Sequence, residues 1–567
     1  MRHPKDDGCE YSDAQGRSRT KVLEETIASL EARLHELENP SESTPSVTLH
    51  DPYRAYHEGQ QRNSPIVAES SRMAMEASLL SPLTTTFDSP SITSQNSPAN
   101  IPYFLPSSSS PFSGSSGRSS SASSPYQGAA VFLGHDEPPI TVIQTLVDAF
   151  LRDASDFGFF LHAARFRHDV LRPLPFGQPP RPSPGLLSAV YLWGVHLAQL
   201  DPLIAYEEIF LSRALQNTAT DLTGSHRHRV LHTIQAHVLL AYYFWRNGRI
   251  LEAKTHSASA VSLAVGCNLH RWRSARPAPD PGIGVVVESS DGHVPPPRDP
   301  IEEGEIINAF WAVFVLHTSL AAAVDPPSNL CGVLEAPGME IDTPWPLDME
   351  GYRDGLLTPD TRGSLTVRKF LSPAAEPKEH LSNVSMVAKA VILFHRASYL
   401  SGRIPSDPQA REFQVFMAGF QSLDQHVSEF KSQLAPLPQP LVGDKKATRH
   451  LMFAHTLVNA ATIKLHSIFS FSDTNSQAQC MAAARSIVND AQSDLGFVHP
   501  LMGSLWVTAC QVFINEISKR RTIHGVVEGE ESMWSGLRAG LAAMTAYSAA
   551  SQLMRAFSGY IHRLGFV

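Results

Sequence analysis

The sequence predicts an all-α protein: a large multi-helix body of packed helical hairpins, preceded by a short coiled coil and a long disordered Ser/Pro-rich linker. Three observations predict it. Apolar residues recur at helical spacing through most of the chain after about residue 136, and alternating runs of strand type are nearly absent. His226 to Arg271 reads as two antiparallel helices joined at Asn247-Gly248, turn chemistry in which both residues tolerate positive φ. Residues 21–39 carry an unbroken heptad seam. The expected organisation is a polar segment (1–20), the coil (21–39), the linker (40–135) and the helical body (136–567).

In the coil, Leu23, Ile27, Leu30, Leu34 and Leu37 are spaced four, three, four and three. Ile27 and Leu34 fall at a, and Leu23, Leu30 and Leu37 at d, a pattern suited to a two-stranded parallel dimer. Pro40 ends that helix. From there to about residue 135 the chain is dominated by Ser, Thr, Pro, Asn and Gln. It lacks the apolar content that would offset ordering entropy, so it is expected to be disordered. Ser-Pro pairs at Ser64, Ser81, Ser89, Ser97, Ser110 and Ser124 are candidate sites for proline-directed phosphorylation.

Order is expected to resume near Pro138. Val142, Leu146, Phe150 and Leu151 share one helix face, and Phe159, Phe160 and Phe166 are core candidates in the next stretch. Helices are expected at 185–200 and 203–222, then the hairpin. Its first helix carries Val230, Ile234, Val238, Ala241, Tyr242 and Trp245; its second places Ala253, Ser257, Ala260 and Ala264 along one small face, with Gly266 as a left-handed stop. A Pro/Gly-rich loop (272–300) leads to Ile306–Val324, and a long irregular stretch (325–380) follows. Further helices are expected at 381–402, 409–433, 448–471, 476–494, 500–521 and 533–558.

Ile306–Val324 approaches the roughly 20 residues that a bilayer requires. Asn308, His317, Thr318 and Ser319 interrupt it, and Glu302, Glu303 and Glu305 precede it with no basic flank. A buried core helix is the expectation, with no membrane partner. A net charge of -9 argues against bulk coating of nucleic acid. Cys9, Cys267, Cys331, Cys480 and Cys510 lie far apart, which fits neither a secreted disulfide framework nor a complete local zinc motif. The four after Cys9 are expected to act as small buried apolar residues. The polar N-terminus lacks the apolar core of a signal peptide.

Enzyme signatures are missing. The sequence holds no P-loop and no G-x-S-x-G, and Gly282 and Gly284 sit in a proline-rich stretch without a third glycine. The expectation is a non-enzyme with no catalytic residues. His228 and His232 would share a helix face at zinc-ligand spacing, but Arg227 and Arg229 flank His228 and no Glu follows it. An exposed polar face is the expectation there.

Three pieces together resemble the fungal zinc-cluster transcription factors and their large fungal-specific, xylanolytic-activator-type regulatory domain. The first is Cys9-Glu10-Tyr11, then Arg17-Ser18-Arg19-Thr20-Lys21 and the leucine heptads. It looks like the end of a Zn2Cys6 cluster, its basic linker and its dimerisation coil. The second is the hairpin, with Glu252-Ala253, Ala260, Leu263-Ala264 and Leu269-His270-Arg271. The third is Glu302, Glu303, Glu305, Phe310 and Trp311, followed by Asp342 to Pro346. The resemblance covers residues 9–38 and about 136–350. Where the family often continues with Asp-Arg and Gly-Arg-Pro, this chain has His317-Thr318 and Asp325-Pro326-Pro327.

The resemblance implies a nuclear regulator of RNA polymerase II transcription that meets the transcription machinery through its regulatory body. Dimerisation, with itself or with relatives, would run through Leu23–Leu37. A complete cluster needs six cysteines, and only Cys9 stands in the matching place, as a last zinc ligand. The chain would thus begin inside the last loop of the motif, through truncation rather than through loss of the DNA reader. Zinc and specific DNA binding are expected only with the missing cysteines; Arg17, Arg19 and Lys21 would contact phosphates alone. Two other readings stay open: a dimerisation partner or inhibitor that contacts no DNA, and an all-α ligand-binding protein or enzyme with a pocket between helices.

Overall fold

The computed structural model describes residues 137–276, 294–324, 340–372, 382–405, 411–437, 445–491, 496–524 and 530–563, together with Ala28 and Asp407. The expected all-α class is what forms. Among the described residues the only extended pairing is one isolated parallel bridge, Ser274 with Gly363.

The helices in chain order are α1 (Ile140–Leu151), α2 (Ala163–Val170), α3 (Pro184–Ala198), α4 (Asp201–Ile204), α5 (Glu207–Thr220), α6 (Arg229–Arg246), α7 (Ile250–Gly266), α8 (Pro300–Val324), α9 (Met349–Arg353), α10 (Thr366–Phe370), α11 (Asn383–Ser401), α12 (Arg411–Gln433), α13 (Lys445–His466), α14 (Thr474–Asp490), α15 (Met502–His524), α16 (Glu531–Ala546) and α17 (Gln552–Arg563). Local chemistry starts several of them. Pro184 occupies the first turn of α3, where its missing N–H costs nothing. Ser382 Oγ accepts the Ser385 N–H at the head of α11, and Asp473 caps α14 through the N–H groups of Asn475 and Ser476.

α1, α3, α5, α6 and α7 pack together on one side; α11 to α16 pack in succession on the other, with α13 against α11, α12, α14 and α15. α8 joins the two groups by lying against α6, α7 and α11. One continuous hydrophobic core runs through both, with Trp193, Trp245, Trp311 and Trp506 fully buried. Burying a large apolar side chain contributes roughly 1.5–3 kcal/mol, so these four anchor the assembly.

The hairpin forms as α6 and α7. Gly248 alone takes the left-handed conformation, at φ 73°, whereas Asn247 stays at negative φ. The small face of α7 is buried along Ala253, Ser257, Ala260 and Ala264. The left-handed residue after α7 is Asn268, at φ 57°, and Gly266 remains helical. Asn is the commonest non-glycine residue there because its short polar side chain bonds locally. Phe160 and Phe166 are buried, as is Phe157, while Phe159 is half-buried against the core.

α8 is long and apolar enough to cross a membrane, yet 78% of its apolar window is buried within the protein. That is the core helix expected of Ile306–Val324. The expected helix at 533–558 divides into α16 and α17 around Tyr547–Ser551. Ser551 Oγ donates to the Arg246 carbonyl, and its position at the head of α17 brings it within 3.3 Å of the Met554 N–H. The expected irregular stretch at 325–380 contains two short helices, α9 and α10, among its described residues.

Candidate functional site

Three stretches singled out in the sequence, Leu269–Arg271, the head of α8 with Glu303 and Trp311, and Asp342–Trp345, meet around the first turns of α8. After α7 the chain turns through Leu269–Arg271, and the His270 carbonyl accepts the N–H groups of Asp342 and Thr343 at 2.8 and 3.1 Å. The Asp342 side chain is fully buried. It accepts Arg276 Nε, Ser274 Oγ at 2.6 Å and the Leu365 N–H at 2.9 Å. Burial pushes its carboxyl up, but these hydrogen bonds prevail and hold it below the ordinary carboxylate value.

One step further along, Arg273 adopts φ 58°, a left-handed conformation that costs a non-glycine residue roughly 1–3 kcal/mol. The surroundings hold it there: its guanidinium spans both oxygens of Glu303, at 2.6 and 2.8 Å, and reaches the Thr358 carbonyl. Trp272 Nε1 donates to Glu303 as well, at 3.2 Å. Two turns on, Trp311 Nε1 donates to the Pro344 carbonyl at 2.7 Å, and its ring stacks on Trp345 with centroids 4.6 Å apart. The node is therefore built from Leu269–Arg276, the head of α8 and Ile341–Trp345.

A cleft of about 290 Å³ opens on another side of the same turns of α8. Leu161, Phe166 and Leu231 form its apolar wall; His226, His228, His232, Glu302 and Glu305 supply its polar surface. Asp299 Oδ1 accepts the Glu302 N–H at 2.9 Å, which fixes the start of the helix beside the cleft.

The three histidine rings cluster at tilted angles, with centroids 4.5 Å apart for His226 and His232 and 5.8 Å for His226 and His228. His232 Nδ1 accepts the Ser183 N–H and His226 Nδ1 the His228 N–H. Burial, with His228 beside it, pulls His226 down to about 4, and burial pulls His232 well below its ordinary value. Both rings are uncharged at neutral pH. This overturns the expected exposed face: His232 is buried and His228 half-buried. The segment around Ser183 closes over the start of α6, and its backbone donor is met by His232, so the ring goes inside.

Glu302 is the unusual group. One oxygen accepts the Arg298 backbone N–H and Arg298 Nε. The other, Oε1, is buried without a hydrogen-bond donor; His228 Nε2 lies 3.2 Å away but off the hydrogen-bond line. Glu305 accepts the His162 N–H at 2.8 Å, and burial pushes its carboxyl up to about 7. Three arginines also line the cleft, and two of them meet Glu302: Arg298 through its hydrogen bonds, and Arg227, whose Nε lies 3.8 Å from Oε1. Arg165 holds Asp299 through two hydrogen bonds, and Arg227 donates to the Pro296 carbonyl.

Among the described residues, no three His, Cys, Asp or Glu side chains are arranged to hold a metal ion. Cys9, Arg17, Arg19, Lys21 and the seam Leu23, Ile27, Leu30, Leu34 and Leu37 lie outside the described residues, as do Cys331, Gly282, Gly284 and all six Ser-Pro sites. Cys480 and Cys510 are buried and Cys267 half-buried; burial raises all three thiols. No family model, curated protein or solved structure matches the chain.

Proposed function

We propose that this chain is a transcription regulator of the fungal zinc-cluster class, and that its helical body is the regulatory domain. One observation carries the reading. Leu269–Arg271, Trp311 and Asp342–Trp345 were singled out in the sequence for their resemblance to that domain; Leu269 bonds to Thr343, 74 residues away, and Trp311 to Pro344, while Glu303, also singled out, joins the node through Arg273 and Trp272. In this reading the body modulates transcription through contacts with the transcription machinery, in the nucleus, and Leu23–Leu37 pairs two chains. Sequence-specific DNA binding would require zinc and a complete cysteine cluster, to which this chain contributes Cys9.

The test is a reporter assay. The 567-residue chain is fused to an unrelated DNA-binding module in a yeast strain carrying that module's operator. The fusion is expected to change reporter output, and Asp342→Ala, which opens the node, is expected to alter that output at equal protein level. Output indistinguishable from the bare module would sink the reading. A gel shift of the unfused chain is expected to show no tight sequence-dependent binding; a tight, specific shift would overturn the requirement for a complete cluster.

A further inference from the structure

We propose that Thr358 is a site of phosphorylation by a proline-directed kinase, and that its phosphate is received by Arg273 and Arg362 at the edge of the node. The proposal stands on the geometry of the loop between α9 and α10 and is independent of any role in transcription.

Among the described residues, a Ser or Thr precedes Pro at Ser183, Thr343, Thr358 and Ser372. Ser183 and Thr343 are buried and Ser372 is half-buried, whereas Thr358 and Pro359 are both exposed. The loop is shaped as a turn there. The Thr358 carbonyl accepts the Thr361 N–H at 3.1 Å, and Pro359 takes the second position, where its fixed φ suits the turn. The Thr358 hydroxyl meets Thr361 Oγ1 at 2.8 Å, a surface contact that leaves it open to an incoming enzyme. The step is phosphoryl transfer from a nucleoside triphosphate carried by the kinase. A bond forms between Thr358 Oγ1 and the γ-phosphorus, the bond from that phosphorus to the leaving diphosphate oxygen breaks, and the hydroxyl proton passes to a base of the kinase.

The surroundings supply what a phosphate requires. Arg273 Nη1 donates to the carbonyls of Thr358 and Thr361, at 2.5 and 3.3 Å, so its guanidinium lies against this turn. Farther along the loop, the Gly363 N–H donates to the Arg273 carbonyl at 3.0 Å, which brings Arg362 alongside. Arg362 is exposed and has no hydrogen bond or ion pair among the described residues. Asp354 is paired with Arg353, which leaves Asp360 as the remaining acid of the loop. A phosphothreonine carries a charge of about −1.5 to −2 at neutral pH and presents acceptor oxygens that match the arginine fork. It would compete with Glu303 for the Arg273 guanidinium, and so act directly on the clasp that holds Arg273 left-handed.

The experiment incubates the full-length chain with ATP and a proline-directed Ser/Thr kinase already shown to label a generic Ser-Pro peptide, and maps phosphate by mass spectrometry. Phosphate is expected at Thr358, absent from Thr358→Ala and strongly reduced in Pro359→Ala. Phosphorus-31 NMR then follows the resonance that Thr358→Ala lacks. Its second ionisation is expected about one unit or more below the ordinary value of about 6, because adjacent arginines favour the dianion. Arg362→Gln is expected to move it back toward the ordinary value; thermal melts establish that each variant is folded. The proposal is overturned if Thr358 carries no phosphate, or if Pro359→Ala is labelled as well as wild type. It is equally overturned if the resonance titrates as it does in the urea-unfolded chain, or if Arg362→Gln leaves its titration unchanged.

Discussion

Asp342 and Arg276 are 66 residues apart in sequence, yet Arg276 Nε donates to both Asp342 oxygens, at 3.0 and 2.9 Å, with the aspartate fully buried. The pair ties the stretch after α7 to the stretch before α9. Removing Asp342 strands the donors of Ser274 and Leu365, at a cost of about 1–3 kcal/mol, whereas Arg276 is 32% exposed and can turn to water. Asp342→Ala is therefore expected to lower stability by about that much in urea unfolding, and Asp342→Asn by less, since Asn retains an acceptor for Ser274 and Leu365. Equal stability of Asp342→Ala and wild type would mean that the node does not hold these segments together.

The small face of α7 makes a packing claim. Ala260 is fully buried where α7 meets its neighbours. Ala260→Leu is expected to overpack the site and destabilise by roughly 1–3 kcal/mol, read from the denaturation midpoint. Unchanged stability would place the interface on another face.

Gly304 makes a sharper one. A methyl group there would overlap the ring of Tyr352. That ring is fixed by its hydroxyl, which donates to Asn308 Oδ1 at 2.9 Å and accepts the Leu347 N–H at 3.0 Å. Gly304→Ala improves helix propensity by about 1 kcal/mol but must displace a buried tyrosine. Net destabilisation is expected, and Tyr352→Phe is expected to be milder. A stabilised Gly304→Ala protein would contradict the close approach of α8 and α9.

Acid should unfold this protein from just below neutrality. Burial lowers His226, His237 and His256 to about 4 and His395 and His499 to about 3, and takes His232 well below its ordinary value. Each is neutral when folded and would gain a proton on unfolding, so the stability it contributes is complete above the unfolded value of 6.5 and is lost as pH falls toward 4. Asp156 and Glu305 act in the opposite sense. Burial raises both to about 7, so their contribution is complete below the unfolded carboxylate values near 4 and is lost as pH rises through 7. Six histidines outweigh two carboxyls. Stability is therefore expected to fall steeply between pH 6.5 and 4, and urea midpoints across that range check the sign. A flat or rising profile on acidification would show that these histidines are solvated.

The parts of this molecule that could be read from sequence are those that depend on neighbours along the chain. The period of α6, the small face of α7 and the apolar run of α8 are local patterns, and each lies in its helix; the start of α8 was not legible, since the helix begins at Pro300, six residues before the expected Ile306, and takes in the polar Glu302, Glu303 and Glu305. The division between α16 and α17 escaped because Tyr547–Ser551 contains neither glycine nor proline; the cap that defines it, Ser551, also bonds to the Arg246 carbonyl from far away in sequence. The cleft escaped for a related reason. Arginines beside His228 signalled a solvated face, but whether His232 faces water is decided by Ser183, which no spacing rule connects to it. A useful signal was present in hindsight: three histidines within seven residues, His226 to His232, and two carboxylates at 302 and 305, one turn apart.

The first turns of α8 present three carboxylates in two directions, Glu303 toward Arg273 and Trp272, Glu302 and Glu305 toward the cleft. A single helical turn does not bend between adjacent residues, so the two sets of contacts share one rigid element. A substitution that moves Glu302 or Glu305 would therefore be felt in the grip of Glu303 on Arg273, a residue already held in a left-handed conformation. Linkage makes the relation reciprocal: whatever free energy the cleft-side contacts lend to the Glu303–Arg273 clasp, the clasp lends to them.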